Sequence, residues 1–336
     1  MSDLPIPITV LTGFLGSGKT TLLRHLLGQP GMSETAVLMN ELGEIGLDHL
    51  LLREVAEDIV LLQSGCLCCK LRGDMVTALR NLFLERVRGG IPEFRRVVIE
   101  TTGLADPAPI LHTLMTDPLI GARYRLDGIV ATIDAVNAAT QFDHHREAVK
   151  QAAIADRLVL TKTDLAAPQA LSLLRDRLRA LNPAAPIIEA VQGAIPPEAV
   201  LGCGLFDGTA KTPDVAGWLK LESHHAHDHH PDGVESFALL IDRPVPWDSL
   251  VMALELLIAT RGEHLLRLKG IIAAEGFDTP FVVHGVQHLF HPPAALPAWP
   301  DADRRSRLVF VTRDLGRKPV QAVLSAALPG HSIECF

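Results

Sequence analysis

Ile6-Pro7-Ile8-Thr9-Val10-Leu11-Thr12-Gly13-Phe14-Leu15-Gly16-Ser17-Gly18-Lys19-Thr20 runs from a β-branched apolar stretch directly into a glycine-rich turn. Glycines at 13, 16 and 18 let backbone N–H groups wrap a phosphate chain. Lys19 is placed to reach its terminal phosphates, and the Thr20 hydroxyl is placed to hold Mg²⁺. Ser17 lies within the loop and Thr21 follows it. The preceding strand and the following helix, expected over Lys19–Leu27, give this phosphate-binding loop its required context. A glycine-rich turn without a ligand is the bland alternative.

Working outward, short apolar runs alternate with helical patterns. Strands are expected near 6–11, 36–40, 58–62, 96–100, 128–133, 157–161 and 186–190. Helices are expected at Lys19–Leu27, Arg72–Val87, Ala105–Leu114, Glu147–Ala153 and Gln169–Leu181. That alternation predicts an α/β fold, a P-loop NTPase with a mainly parallel sheet flanked by helices. Beyond a polar stretch at 221–233, strands at Ser236–Ile241, His264–Ala274, Pro280–Leu289 and Ser306–Thr312 mix with helices at Trp247–Ala259 and Pro319–Ala327. They predict a smaller C-terminal α+β domain with helices on one face of an antiparallel sheet. The expected division is 1–220, a linker at 221–233, and 234–336.

The 336 residues are 48% hydrophobic, enough for two cores, and 39 acidic against 31 basic residues give a formal net charge of −8. No long Lys/Arg run points to nucleic acid. No basic and apolar leader and no membrane-length apolar run is seen, so the expected location is the cytoplasm, with no membrane partner. Five cysteines, three of them in Cys66-Leu67-Cys68-Cys69, argue against a disulfide scaffold.

Val97-Val98-Ile99-Glu100 is an apolar strand ending in a carboxylate, followed by Thr101-Thr102-Gly103. Glu100 is expected to face the Mg²⁺ water shell or the attacking water, and Gly103 to bring its N–H toward the γ-phosphate. Asn40-Glu41-Leu42-Gly43-Glu44 follows the second strand and offers Glu41, with Glu44 and Asp48, as a metal-binding or water-positioning carboxylate. Leu158-Val159-Leu160 leads into Thr161-Lys162-Thr163-Asp164, in which Asp164 can accept from the guanine N1–H and 2-amino group, a donor pair adenine lacks. This resembles the guanine-reading motif Asn-Lys-x-Asp of GTPases. Thr161 replaces the usual Asn and removes an amide that often braces the phosphate loop. A helix cap by Asp164 is the alternative.

Three sulfurs in four residues cannot share one face of a core strand, and their place before a helix lowers thiol pKa. Cys66, Cys68 and Cys69 therefore point to a soft transition metal, with redox sensing and inert packing as alternatives. His224, His225, His227, His229 and His230, five imidazoles in seven residues, suit weak and exchangeable metal binding or are incidental to a solvated linker. His284 and His288 are expected on one face of a continuous strand.

With these elements in one order, the chain resembles the CobW-type GTP-binding metallochaperones, SIMIBI-class P-loop GTPases with a smaller C-terminal domain. The likeness spans nearly the whole chain and rests on Gly13–Thr21, Asn40–Glu44, Gly65–Cys69, Glu100–Pro107, Thr161–Asp164 and the histidine tract. It implies Mg²⁺-dependent GTP hydrolysis coupled to delivery of Zn²⁺ or Co²⁺ to a client metalloprotein or a metal-cofactor pathway enzyme, with room for a nucleotide- or metal-dependent homo-oligomer. Carried over residue by residue, it implies Cys66, Cys68, Cys69 and Glu41 as metal ligands. It implies nucleotide roles for Lys19, Thr20, Glu100, Lys162 and Asp164. Two readings from other classes stand beside it: a metal- or redox-responsive GTP-binding regulator with little turnover, and a small-molecule P-loop kinase.

Overall fold

The structure is a computed structural model and describes residues 5–40, 60–64, 71–203, 233–290 and 293–335, with backbone alone at 40, 60–64 and 71–74. The chain divides into two units, Met1–Arg175 with Pro186–Leu205 and Asp176–Ala185 with Phe206–Phe336.

In the first unit the elements run β1 (Ile6–Gly13), α1 (Lys19–Leu27), β2 (Thr35–Asn40), β3 (Val60–Ser64), α2 (Leu71–Arg88), β4 (Arg96–Glu100), α3 (Ala108–Thr116) and α4 (Pro118–Gly121). They continue with β5 (Tyr124–Asp134), α5 (Ala138–His144), α6 (Arg146–Ile154), β6 (Arg157–Thr161), α7 (Pro168–Leu181), whose residues from Asp176 onward are grouped with the second unit, and β7 (Ile187–Ala190). The seven strands form one sheet in the order β3-β2-β4-β1-β5-β6-β7, and every pairing in it is parallel. A parallel sheet is covered on both faces, so its strands carry apolar runs rather than alternation. β5 illustrates this: Ile129, Val130 and Ala131 point to alternate faces, and all three are buried. On one face Val130, Val98 and Val159 join Leu22, Leu23, Leu26 and Leu27 of α1 in a single core. Each such side chain stabilises the fold by about 1.5–3 kcal/mol, and together they hold the first turn of α1 at the end of β1.

Several helix boundaries differ from the sequence expectation for local reasons. α3 starts at Ala108 rather than Ala105, because Asp106 accepts from the Ala108 N–H (3.0 Å), Pro107 stands at the N-cap and Pro109 sits in the first turn. α4 is a single turn that the sequence reading passed over. Asp117 accepts from Leu119 N and Ile120 N ahead of Pro118 and so defines it.

At the N-terminal ends of β5 and β6 the chain after β7 is clasped. Arg157 donates to the carbonyls of Glu198 (2.8 Å), Leu201 (3.2 Å) and Gly202 (3.3 Å). Buried Asp127 accepts from Gly202 N (2.9 Å) and Thr9 Oγ1 (3.2 Å).

In the second unit β8 (Val234–Ile241), α8 (Trp247–Arg261), β9 (Leu265–Ile272), β10 (Phe281–Val286), β11 (Leu289–Phe290), β12 (Ala294–Ala295), β13 (Ser306–Arg313), α9 (Arg317–Ala327) and β14 (Ile333–Cys335) build an antiparallel sheet. Its order is β11-β10-β9-β13-β8-β14, with β12 on β10. Leu250, Leu254 and Leu257 of α8 and Val320 and Leu324 of α9 pack with Leu239, Leu268, Leu308 and Phe310 of the sheet. Helices thus cover one face, as expected. The expected single strand Pro280–Leu289 is instead a hairpin: Val286 pairs with Leu289 across Gln287-His288, and Gln287 takes φ 52°. His284 is buried within β10 while His288 sits in the turn, so the two do not share a strand face.

Candidate active site

Register decides which side chains meet at the C-terminal edge of the parallel sheet. Leu11 pairs with Glu100, Gly13 with Thr132, and Asp134 with Thr161. The loops after β1, β4, β5 and β6 are therefore neighbours, at the edge where ligands of open α/β sheets are held.

The loop after β1 can take its course only with glycine at 13. Its φ is 141°, and a Cβ there would lie 2.3 Å from Thr132 Oγ1 and 2.5 Å from Thr132 O. Ser17 Oγ lies 2.7 Å from Thr132 Oγ1, and Ser17 N donates to Phe14 O (3.1 Å). Gly18 precedes α1 without a side-chain cap, so the first-turn N–H groups of α1 point at the anion-binding position that the helix dipole favours. Lys19 is buried, with Nζ donating to Gly13 O (2.9 Å) and Phe14 O (3.2 Å). These bonds lay the lysine along the loop. Gly16 tops the same loop, and Thr21 is exposed on the first turn of α1.

Thr20 Oγ1 donates to Glu100 Oε1 at 2.9 Å, and Glu100 is buried at the end of β4. A hydroxyl and a carboxylate, both hard oxygen donors in contact, fit Mg²⁺. Thr101 N continues the ladder to Leu11 O, and Thr101 Oγ1 donates to Thr12 Oγ1 at 3.0 Å. Gly103 then presses on the phosphate loop: a Cβ there would lie 2.6 Å from Leu15 N and 2.7 Å from Leu15 Cα. No side chain fits between the two loops.

The Thr161–Asp164 segment leaves β6 in a turn. Lys162 takes φ 57°, Leu165 N donates to Lys162 O (3.1 Å), and Asp164 is exposed. α7 begins only at Pro168, so Asp164 does not cap it. Thr161 supplies the brace that replacing Asn was expected to remove. Its Oγ1 donates to Ser17 O at 2.8 Å, with Ile133 O at 3.2 Å as the other acceptor in reach.

Asp134, which the sequence reading did not single out, anchors this turn. It is buried at the end of β5 and accepts from Lys162 Nζ (2.6 Å), Asn137 Nδ2 (2.9 Å) and Val136 N (2.9 Å). Burial pushes its carboxyl upward. The hydrogen bonds from Lys162, Asn137 and Val136 and the Lys162 charge outweigh that and hold it below the usual carboxylate range. The only sequence signal was a carboxylate at the end of an apolar strand.

Glu41, Cys66, Cys68, Cys69, His224, His225, His227, His229 and His230 lie outside the described residues. Among the described residues no group of three His, Cys, Asp or Glu is arranged to hold a metal ion, and no helix is long and apolar enough to cross a membrane.

The family model for the CobW/HypB/UreG nucleotide-binding domain matches residues 7–189, and that for the cobalamin synthesis protein CobW C-terminal domain matches residues 234–328. The chain belongs to the CobW family. Among CobW relatives, the zinc chaperone YjiA of Escherichia coli is 36% identical over 96% of this chain and 98% of its own. The zinc chaperone CobW of Pseudomonas aeruginosa is 30% identical over 96% and 92%. The structure of Zn(II)-bound YjiA GTPase from E. coli superposes with a TM-score of 0.73 at 28% identity, covering 96% of this chain and 99% of that one. That likeness extends across both CobW domains.

Proposed function

We propose that this chain is a GTPase metallochaperone. It binds a transition metal at Cys66, Cys68 and Cys69 and passes it to a client metalloprotein or a metal-cofactor enzyme under control of the nucleotide. The observation that carries the reading is the Thr20–Glu100 contact at 2.9 Å beside the Lys19 loop, in a chain that also carries Cys66-Leu67-Cys68-Cys69. The E. coli and P. aeruginosa relatives named zinc chaperones support Zn²⁺ as the cargo. Thiolate ligands accept Co²⁺ as well.

Backbone N–H groups of Gly13–Thr20 and the Lys19 ammonium hold the β- and γ-phosphates of GTP, and Asp164 reads the guanine edge, with Lys162 alongside. Thr20 and Glu100 hold Mg²⁺, which when bound neutralises charge on the phosphate oxygens. Glu100, with Glu41, orients the attacking water, and the Gly103 N–H faces the γ-phosphate. The Glu100–Pro107 loop follows the nucleotide and carries its state to the metal loop. A coupling of roughly 5–150-fold between metal and nucleotide affinity is enough for directed delivery, and linkage makes it reciprocal. The histidine tract His224–His230 acts as a weak metal store. We assign the GTPase domain to 1–220 and the C-terminal domain to 234–336, and place the protein in the cytoplasm as a homo-oligomer whose assembly follows nucleotide or metal.

The test combines GTP turnover with metal competition. Zn²⁺ affinity measured against a chelator should differ at least fivefold between GDP and a non-hydrolysable GTP analogue. The Cys66/Cys68/Cys69→Ser variant should lose the tight site while keeping GDP. Equal Zn²⁺ affinity in both nucleotide states refutes delivery; a metal-responsive regulator would instead keep the coupling with negligible turnover.

A further inference from the structure

Gln151 lies in the middle of α6 among Ala148, Val149, Ala152 and Ala153, all buried, and is itself only 1% exposed. An amide in such a stretch has nothing to offer the core. Its Nε2 instead donates to Gly103 O (3.2 Å) and Ala105 O (3.0 Å), two carbonyls of the loop that follows Glu100. The preceding residue, Lys150, pairs through Nζ with Asp106 Oδ2 of the same loop. One helix turn thus grips that loop at three points. Gly103, the first of them, is also the residue whose backbone presses on Leu15 of the phosphate loop.

Among the described residues, buried Gln151 Oε1 has no hydrogen-bond partner. Buried acceptors are rarely left so, and each exception calls for a reason. The side chain is oriented by its two donor bonds to the loop carbonyls, not by its acceptor.

We propose that Gln151 is a positioning residue for GTP hydrolysis: it fixes the Thr101–Pro107 loop, and through it the orientation of Glu100 and the Gly103 N–H toward the γ-phosphate. The proposal rests on the reading of Glu100 and Gly103 given above. Gln151 is far along the chain from both, and it acts on the loop rather than on the nucleotide.

The experiment uses the full chain with Gln151→Met, which fills the same space without donors, and reads steady-state GTP hydrolysis together with GDP affinity. Loss of loop positioning lowers kcat at least tenfold while KM and the GDP dissociation constant stay within threefold. Gln151→Glu, equal in length but presenting oxygen to two carbonyls, should be no better. A side chain that only fills space predicts a normal kcat for Gln151→Met, and that result overturns the proposal. So does a fall in GDP affinity that matches the fall in kcat. Glu100→Gln is run in parallel. If it is inactive while Gln151→Met turns over normally, the Gln151 proposal alone fails; if it is as active as the parent, the reading of Glu100 fails and Gln151 falls with it. Should Gln151→Met not fold, Lys150→Met tests the same grip at Asp106, with a two- to fivefold drop in kcat at unchanged GDP affinity expected and an unchanged kcat overturning the proposal.

Discussion

Replacing Thr161 by Val isolates the brace between β6 and the phosphate loop. Valine keeps the shape and removes the hydroxyl that donates to Ser17 O at 2.8 Å. The methyl that replaces Oγ1 stands where the hydroxyl lay 2.8 Å from Ser17 O and 3.2 Å from Ile133 O, so the loop must give by a few tenths of an ångström to admit it, which adds to the loss. A single hydroxyl proton serves one acceptor at a time, and the Ser17 carbonyl is the nearer of the two. Losing a net hydrogen bond and leaving a buried carbonyl short of a donor costs about 1–2 kcal/mol. That cost falls on the loop that wraps the phosphates, so it should appear as about 5–30-fold weaker binding of GDP and GTP alike. Titration with a fluorescent GDP and a fluorescent GTP analogue measures both. Thr161→Asn should bind within about threefold of the parent, because the amide can donate to the same carbonyl. If Thr161→Val binds both nucleotides within twofold of the parent, the hydroxyl is not a brace.

Gly13→Ala puts a Cβ 2.3 Å from Thr132 Oγ1 at a φ of 141°, which should cost about 3 kcal/mol or more. Equilibrium dialysis with GDP should find binding lost, and retained binding contradicts the described loop. Asp134→Asn weakens the tie to Lys162 by about 1–2 kcal/mol, toward the low end because Lys162 is about a third exposed. The carboxyl of Asp134 is held below its ordinary value, so its contribution is present above that ordinary value and is lost as pH falls through the lowered one. The melting difference between parent and variant should accordingly be full at neutral pH and shrink in acid; a difference independent of pH refutes it. Phe310→Ala removes a fully buried ring stacked on Phe237 at 5.4 Å between centroids. Calorimetry should show the second unit destabilised by about 3–5 kcal/mol, with GDP affinity within twofold.

What was legible in the sequence was local. The phosphate loop, the end of β4 and the turn after β6 are each a contiguous run whose chemistry follows from spacing, and Lys19–Leu27 folds as read. Features that depend on pairing across the fold were silent. Asp134 matters because the β5–β6 register sets it opposite Thr161 and beside Lys162, 28 residues away. Gln151 looked like any polar residue of a short helix, since its partners sit 46 and 48 residues earlier. The β10–β11 hairpin was hidden for another reason: its turn is Gln287-His288, without the Gly, Asn or Pro that normally marks one. Sidedness also misled the reading of His284 and His288, because alternation says nothing about where a strand reverses.

The clasp at Arg157 bears on how a stand-alone nucleotide-binding domain should be cut from this chain. A terminus placed after Cys203 leaves the guanidinium its three carbonyls and Asp127 its bonds to Gly202 and Thr9. One placed before Glu198 removes all three carbonyls from Arg157 and leaves buried Asp127 with only its bond from Thr9. Such a fragment would fail for want of the six residues 198–203, and its inactivity would say nothing about the phosphate loop at the opposite edge.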